Sequence, residues 1–335
     1  MPARPAPVLE ALLHGVVDYA GLFPPARLEM SAAVTNYSRY RESETAWMLG
    51  RFICPAARLA ELAPWRESIA AAERPWRIAA LGRGGETAAE FLQNLQRDLE
   101  EIASFRSTFE DRVVVDAFEV RVPAGIVSAE SDVIRAWLNS VYDLMERQGP
   151  PVLAPSFEAK PGTADDLGLA SLLGALATEE FSSAAETRHR CLPGGFKLRC
   201  GGTEAAAFPS PAIVAATLAA CRDDDLPLKF TAGLHHPFRH QDAQLQVHMH
   251  GFVNVLLAAL FAYQGDWTPL ELQALLEDEA RSHFRVANEQ IAWGDHVLTA
   301  AQVSELREEY GLSFGSCSFD EPRDDLRALG WLPAD

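Results

Sequence analysis

The sequence predicts an α/β protein, a (β/α)8 barrel of the TIM type spanning residues 1–335 as a single domain, with a small β-hairpin inserted near the C-terminus. Three observations lead there. Short apolar runs alternate with helical patterns eight times along the chain, which calls for a parallel sheet. The 335-residue length lies somewhat above the ~250 residues typical of such barrels. No early strand-to-helix turn carries G-x-G-x-x-G, the mark of the rival doubly wound open sheet.

The elements follow in order. Residues 14–21 are a short apolar run ending in turn residues, and Ser31 is placed to cap a helix reaching about Glu42. A second strand over 47–54 leads through Pro55 into a helix over 56–62, interrupted at Pro64 and resumed to 73. The third strand is 76–81; after a loop at 82–85, Phe91, Leu92, Leu95, Leu99 and Ile102 form one helical stripe. Strand four, 112–122, alternates Phe118, Val120 and Val122 with Glu119 and Arg121, and its helix is 131–147. Strand five, 151–158, is rich in proline, sets Ser156 and Glu158 opposite Pro155 and Phe157, and is followed by helical sequence over 164–188.

Strands six and seven repeat one pattern, Lys-apolar-polar-small-Gly, at Lys197 to Gly201 and Lys229 to Gly233. Alternation puts Lys197 and Arg199 on one face against Phe196, Leu198 and Cys200 on the other; Lys229 and Thr231 divide from Leu228 and Phe230 in the same way. Ser210 as N-cap and Pro211 at the first helical position open the helix between them. An almost wholly apolar helix over 249–263 precedes the capping box Thr268-Pro269-Leu270-Glu271. The hairpin is expected over 284–297, turning at Asn288-Glu289. Thr299 caps the next helix, 312–319 is the last strand, and 321–329 the last helix.

With 48% apolar residues the chain can bury a sizeable core. A net charge of -18 argues against nucleic acid and anionic membrane as partners, since both require a basic footprint. No apolar run reaches the roughly 20 residues of a membrane span, and residues 1–7 lack a signal-peptide core, so the cytoplasm is the expected location. The five cysteines, without a C-x-x-C pair, read as reduced thiols rather than a disulfide or zinc framework.

In a barrel, residues at the carboxyl ends of the strands converge on one mouth, where such proteins do their chemistry. The polar residues that sort there are Glu119 and Arg121, Glu158, Lys197 and Arg199, Lys229 and Thr231, His235 and His236 just beyond, Ser316 and Ser318, and Asp18. An enclosed lysine needs a paired charge or a lowered pKa, and a second cation nearby lowers an amine's pKa and makes it nucleophilic. Lys197 could take that role with Lys229 tuning it, Glu119 or Glu158 moving protons and His235 as acid or base. Arg199 with Gly201 and Gly202 would form an anion subsite, joined by Thr231, His236 and Arg121 in binding substrate. The structural alternative is a buried ionic layer in which the lysines are simply paired with the glutamates.

The paired K-x-x-x-G segments on strands six and seven resemble those of the class I, Schiff-base aldolases of the barrel fold, deoxyribose-phosphate aldolase in particular. The resemblance implies imine formation at Lys197, with Lys229 as its perturbing neighbour and Glu119 as the acidic partner on strand four. Leu234-His235-His236-Pro237 stands where that family has a glycine-rich phosphate-binding turn. The expected activity is that of a lyase acting on a small anionic carbonyl compound without a cofactor; self-association as a homo-oligomer is left open.

Five of the nine histidines fall within 235–250: His235, His236, His240, His248 and His250. Imidazole is the commonest metal ligand, and His248-x-His250 could reach one ion from an extended segment. A divalent-metal hydrolase or lyase is therefore the rival reading, with His235, His240, His248 and His250 as ligands, and a barrel that only binds a ligand is the third. Cys317 is a nucleophile candidate for which the sequence specifies no histidine base.

Overall fold

The computed structural model describes residues 5–150, 153–160, 167–177 and 194–333. Eight parallel strands close into a barrel surrounded by helices, consistent with the (β/α)8 expectation. They are β1 (Val17–Tyr19), β2 (Leu49–Pro55), β3 (Trp76–Leu81), β4 (Val113–Arg121), β5 (Ala154–Glu158), β6 (Gly195–Arg199), β7 (Leu228–Thr231) and β13 (Ser313–Ser316). Around the barrel they run β1-β13-β7-β6-β5-β4-β3-β2, so each strand pairs with its neighbours in the chain order of the barrel strands. Outside it lie a two-stranded sheet, β8 (His240–Asp242) with β9 (Val247–Met249), and a three-stranded antiparallel sheet, β10 (Phe284–Val286), β11 (Gln290–Trp293) and β12 (His296–Thr299).

The chain divides into two compact units, one of residues 51–198 and 224–228, the other of 1–50, 199–223 and 229–335. The first holds α3 (Arg66–Ala71), α4 (Ala88–Phe109), α5 (Ala124–Val127), α6 (Ser131–Gln148) and α7 (Leu167–Ala177). The Thr87 side chain caps α4 by accepting from the Glu90 N–H, and of the stripe expected from sequence Phe91, Leu95, Leu99 and Ile102 are buried while Leu92 is half-buried. On β5 the Phe157 ring meets Trp137 and Tyr142 of α6, at centroid distances of 6.0 and 6.3 Å. That contact turns Phe157 toward the helices, so Ser156 and Glu158, on the opposite face, point into the barrel.

The second unit holds α1 (Pro7–Leu13), α2 (Met30–Arg41), α8 (Pro211–Asp223), α9 (Phe252–Gln264), α10 (Pro269–Glu277), α11 (Ala300–Tyr310) and α12 (Asp320–Ala328). Capping boxes at Thr268/Glu271 and Thr299/Gln302 start α10 and α11. Phe314 of β13 stacks on Phe252 of α9 at 5.1 Å, which leaves Ser313 and Gly315 on the inner face. Residues 205–223 form the one helical stretch among the described residues long and apolar enough to cross a membrane. Val214, Ala215, Leu218 and Cys221 of α8 are buried.

Several elements differ from the sequence expectation. The segment expected as a hairpin over 284–297 is the three-stranded sheet, because Gly294 adopts a left-handed φ of +55° and returns the chain for a further strand. Residues 56–65 form 3-10 turns rather than an α-helix, in keeping with Pro64, which has no N–H to donate to an i→i−4 ladder. The final strand stops at Ser316 because α12 begins at Asp320. The part of the expected 164–188 helix beyond Ala177, and Cys191, lie outside the described residues.

Candidate active site

Within the first unit, three side chains from adjacent strands meet. Register sets Glu158 of β5 directly beside Lys197 of β6, and Arg121 of β4 beside Glu158. Lys197 Nζ lies 2.9 Å from Glu119 Oε2 and 2.9 Å from Glu158 Oε2. Lys197 and Glu119 are buried, while the Glu158 side chain keeps 13% of its surface exposed. Burial alone would push the Lys197 ammonium down, but the Glu119 and Glu158 carboxylates outweigh it and hold Lys197 above its ordinary range. The resting lysine is thus protonated: of the two outcomes the sequence left open, a lowered amine or one paired with the glutamates, the geometry gives the second. Beyond Glu119 on the same strand face, Arg121 ends β4, exposed and without an ion pair among the described residues.

In the second unit Lys229 Nζ sits 2.5 Å from Asp18 Oδ2, with Asp18 fully buried and Ser313 Oγ 3.4 Å from the same oxygen. Asp18 was legible only as a strand-end polar residue; its pairing with Lys229 was not anticipated, and it answers the charge that the sequence assigned to tuning Lys197. A Cβ on Gly50 would stand 2.3 Å from Asp18 Oδ1, so glycine there makes room for the carboxylate.

Arg199 ends β6 exposed, and Thr231 is half-buried in register with Gly315. Packing suffices to explain the glycine pair. A Cβ on Gly201 would lie 2.5 Å from Phe208 Cε1 and 2.9 Å from Gly233 Cα, and one on Gly202 would lie 2.7 Å from Ala207 Cβ. Gly233 itself has a left-handed φ of +72°. Gly233→Ala is therefore expected to lower stability by about 1–3 kcal/mol through backbone strain, read as a lower urea midpoint at unchanged m-value.

The histidines disperse. His236 Nδ1 lies 2.6 Å from Asp325 Oδ2, His240 donates from Nδ1 to the Phe238 carbonyl at 3.1 Å, and exposed His248 reaches Glu279 at 3.3 Å. His250 is buried, donates from Nε2 to the Pro209 carbonyl at 2.8 Å, and is pushed down to about 4 by burial, which keeps it neutral. His250 lies just beyond the end of β9, where the chain leaves the strand, so His248 faces solvent while His250 is buried. No group of three or more His, Cys, Asp and Glu side chains placed to share an ion occurs among the described residues.

His235 belongs to a different cluster. Its Nδ1 lies 3.0 Å from Glu321 Oε2, and the Cys317 thiol hydrogen-bonds the same ring. Sequence reasoning missed this base for Cys317, although the signal was present: His235 follows β7, Cys317 follows β13, and these two strands pair. A second missed cluster joins Arg51 and Arg77 to Asp116, the residue skipped by the β3–β4 register shift. Despite burial, the two guanidinium groups hold Asp116 below the usual carboxylate range.

No family model matches this sequence, and comparison with curated proteins and with solved structures finds no match either.

Proposed function

We propose that this chain is a lyase of the aldolase type, built on a (β/α)8 barrel, that forms an imine between Lys197 and a small anionic carbonyl compound. The observation that carries the reading is the buried Lys197 ammonium in contact with two carboxylates at 2.9 Å each. An amine must lose its proton before it can add to a carbonyl, and here the acceptor is already in place. Glu158, the more exposed partner, takes the proton as substrate displaces water; the free amine adds to the carbonyl carbon, and a protonated carboxyl returns the proton to the departing hydroxyl as water leaves. The iminium then accepts the electron pair of the C–C bond next to it as that bond breaks, and a carboxylate takes the hydroxyl proton of the departing carbon as it leaves as a carbonyl. Protonation of the enamine followed by addition of water releases the second product and restores the lysine. Arg121, on the same strand face as Glu119 and open to solvent, supplies a planar fork for a substrate carboxylate or phosphate. The resemblance of the two lysine segments to Schiff-base aldolases points the same way.

Borohydride trapping tests this. Incubated with 2-oxo acids and small aldehydes, the protein is expected to gain covalent mass at Lys197, faster as pH rises because the resting amine is protonated. Lys197→Arg keeps the charge between the glutamates but cannot form an imine, and is expected to give no adduct. Arg121→Gln is expected to remove any preference for 2-oxo acids over neutral aldehydes. Absence of an adduct with every carbonyl compound, or an adduct that persists in Lys197→Arg, would leave the cluster as a structural ionic layer.

A further inference from the structure

Three side chains at the carboxyl ends of β7 and β13 are not used by the lysine chemistry. His235 follows β7, Cys317 follows β13, and Glu321 lies in the first turn of α12. The pairing of β13 with β7 brings the two strand ends side by side. Glu321 Oε2 is 3.0 Å from His235 Nδ1, and the thiol of Cys317 hydrogen-bonds the imidazole. The backbone that carries Glu321 is held in turn: the Glu321 N–H donates to Ser318 Oγ at 3.2 Å, and the Ser318 N–H donates to Ser316 Oγ at 3.4 Å. We infer that Cys317, His235 and Glu321 form a nucleophilic thiol site that accepts an acyl group from a small ester or thioester.

The three roles follow from position. A thiol is a weak nucleophile until a base takes its proton, and a histidine held by a carboxylate is the commonest means of doing so. Burial alone would push the His235 imidazolium down, but its hydrogen bonds to Cys317 and Glu321 outweigh burial and bring it up to about 10, so the ring holds a proton at neutral pH. The groups facing the site are few. Tyr19 and Asp320 lie within electrostatic reach of one another and Tyr19 of Cys317, while Asp320 and His236 act on Glu321. Cys317 is half-buried and reachable, whereas Cys54 and Cys200 are enclosed, with burial pushing both thiols up to about 12, and Cys221 is buried as well.

In the step itself the Cys317 sulfur attacks the acyl carbon and a C–S bond forms. The tetrahedral oxyanion collapses, the bond to the alcohol or thiol leaving group breaks, and that group takes the proton from the His235 imidazolium. Water, deprotonated by the now neutral His235, then displaces the sulfur, releasing a carboxylic acid and restoring the starting pair. No oxidant, metal or cofactor enters the balance.

Two measurements on the full-length chain test the site. Iodoacetamide labelling followed by peptide mapping is expected to modify Cys317 at a rate nearly flat from pH 6 to 9. At pH 6 it should exceed by at least about 10-fold the rate of a thiol with the ordinary pKa of about 8.5. His235→Gln is expected to restore the ordinary pH dependence, and Glu321→Gln to give an intermediate profile. With p-nitrophenyl acetate, a burst of one equivalent of p-nitrophenolate is expected, with one acetyl group mapped to Cys317; His235→Gln should lose the burst. Labelling of Cys317 that follows an ordinary thiol titration and is unchanged in His235→Gln, or an acetyl group mapped elsewhere, overturns the assignment. Since neither readout involves Lys197, failure here leaves the imine proposal standing, and the reverse holds.

Discussion

Lys197→Met is expected to lower the free energy of unfolding by about 3–5 kcal/mol at neutral pH, the range found when one member of a buried ion pair is removed. The methionine fills much of the same volume, so the loss is electrostatic: Glu119, at 1% side-chain exposure, and Glu158 then face the space the ammonium occupied. The pH dependence separates this from a packing defect. Because Lys197 holds its proton more tightly in the fold than in the unfolded chain, its contribution is fully present below the unfolded value of about 10.4 and is lost as pH rises through the higher folded value. The gap between the two proteins is therefore expected to stay level from pH 6 to 9 and to narrow above about 10.4. It should narrow at the acidic end too, where carboxylate protonation relieves the repulsion in the variant. Denaturant titrations at five or six pH values would measure it, and equal midpoints from pH 6 to 9 would mean that the cluster contributes nothing to the fold.

Glu158→Gln is expected to alter the trapping reaction in two opposed ways that a single-pH assay would confuse. The substitution removes one of the two negative charges that hold the Lys197 proton, so the amine becomes available at lower pH and the pH–rate profile for adduct formation shifts toward acid. It also removes the group that accepts and returns the proton during dehydration, a role worth about 10²–10⁴-fold when a positioned side chain fills it. The maximum rate is therefore expected to fall by about 10²-fold or more while its midpoint moves down in pH. Glu119→Gln shares the shift, and comparison of the two maxima tells which carboxylate carries the proton. A Glu158→Gln profile with an unchanged maximum would confine Glu158 to an electrostatic role; an unshifted midpoint would separate it from Lys197 ionisation altogether.

Much of the barrel could be read before any coordinates. Strands with period-two alternation and helices with one apolar stripe are local patterns, and their alternation dictates parallel pairing because a helix must carry the chain back between strands. Face assignment was legible for the same reason: Glu119 with Arg121, and Lys197 opposite Phe196, follow from the pleat alone. What alternation does not encode is stagger. Whether Lys197 meets Glu158 depends on the register that sets the two residues side by side, and the same is true of Ser313 beside Lys229 and Asp18 beside Gly315. Asp116 was hidden further, since its place between Arg51 and Arg77 arises at a register irregularity that no pattern in β4 announces.

The histidine-rich stretch shows the limit most clearly. Five imidazoles within 16 residues suggested one ion, yet chain proximity does not imply spatial convergence. His250 turned into the core, His248 out to Glu279, and His235 toward a cysteine about 80 residues away in sequence. The sequence by itself determined the eight barrel strands, the capping boxes that start α10 and α11 and the charged residues available to the inner face, because these depend on interactions within a few residues. Only the tertiary structure decided which charge answers which, whether Lys197 rests protonated, and which base stands beside Cys317. Those outcomes depend on distances between separate strands, and electrostatic and hydrogen-bond energies change severalfold over displacements smaller than one residue of register.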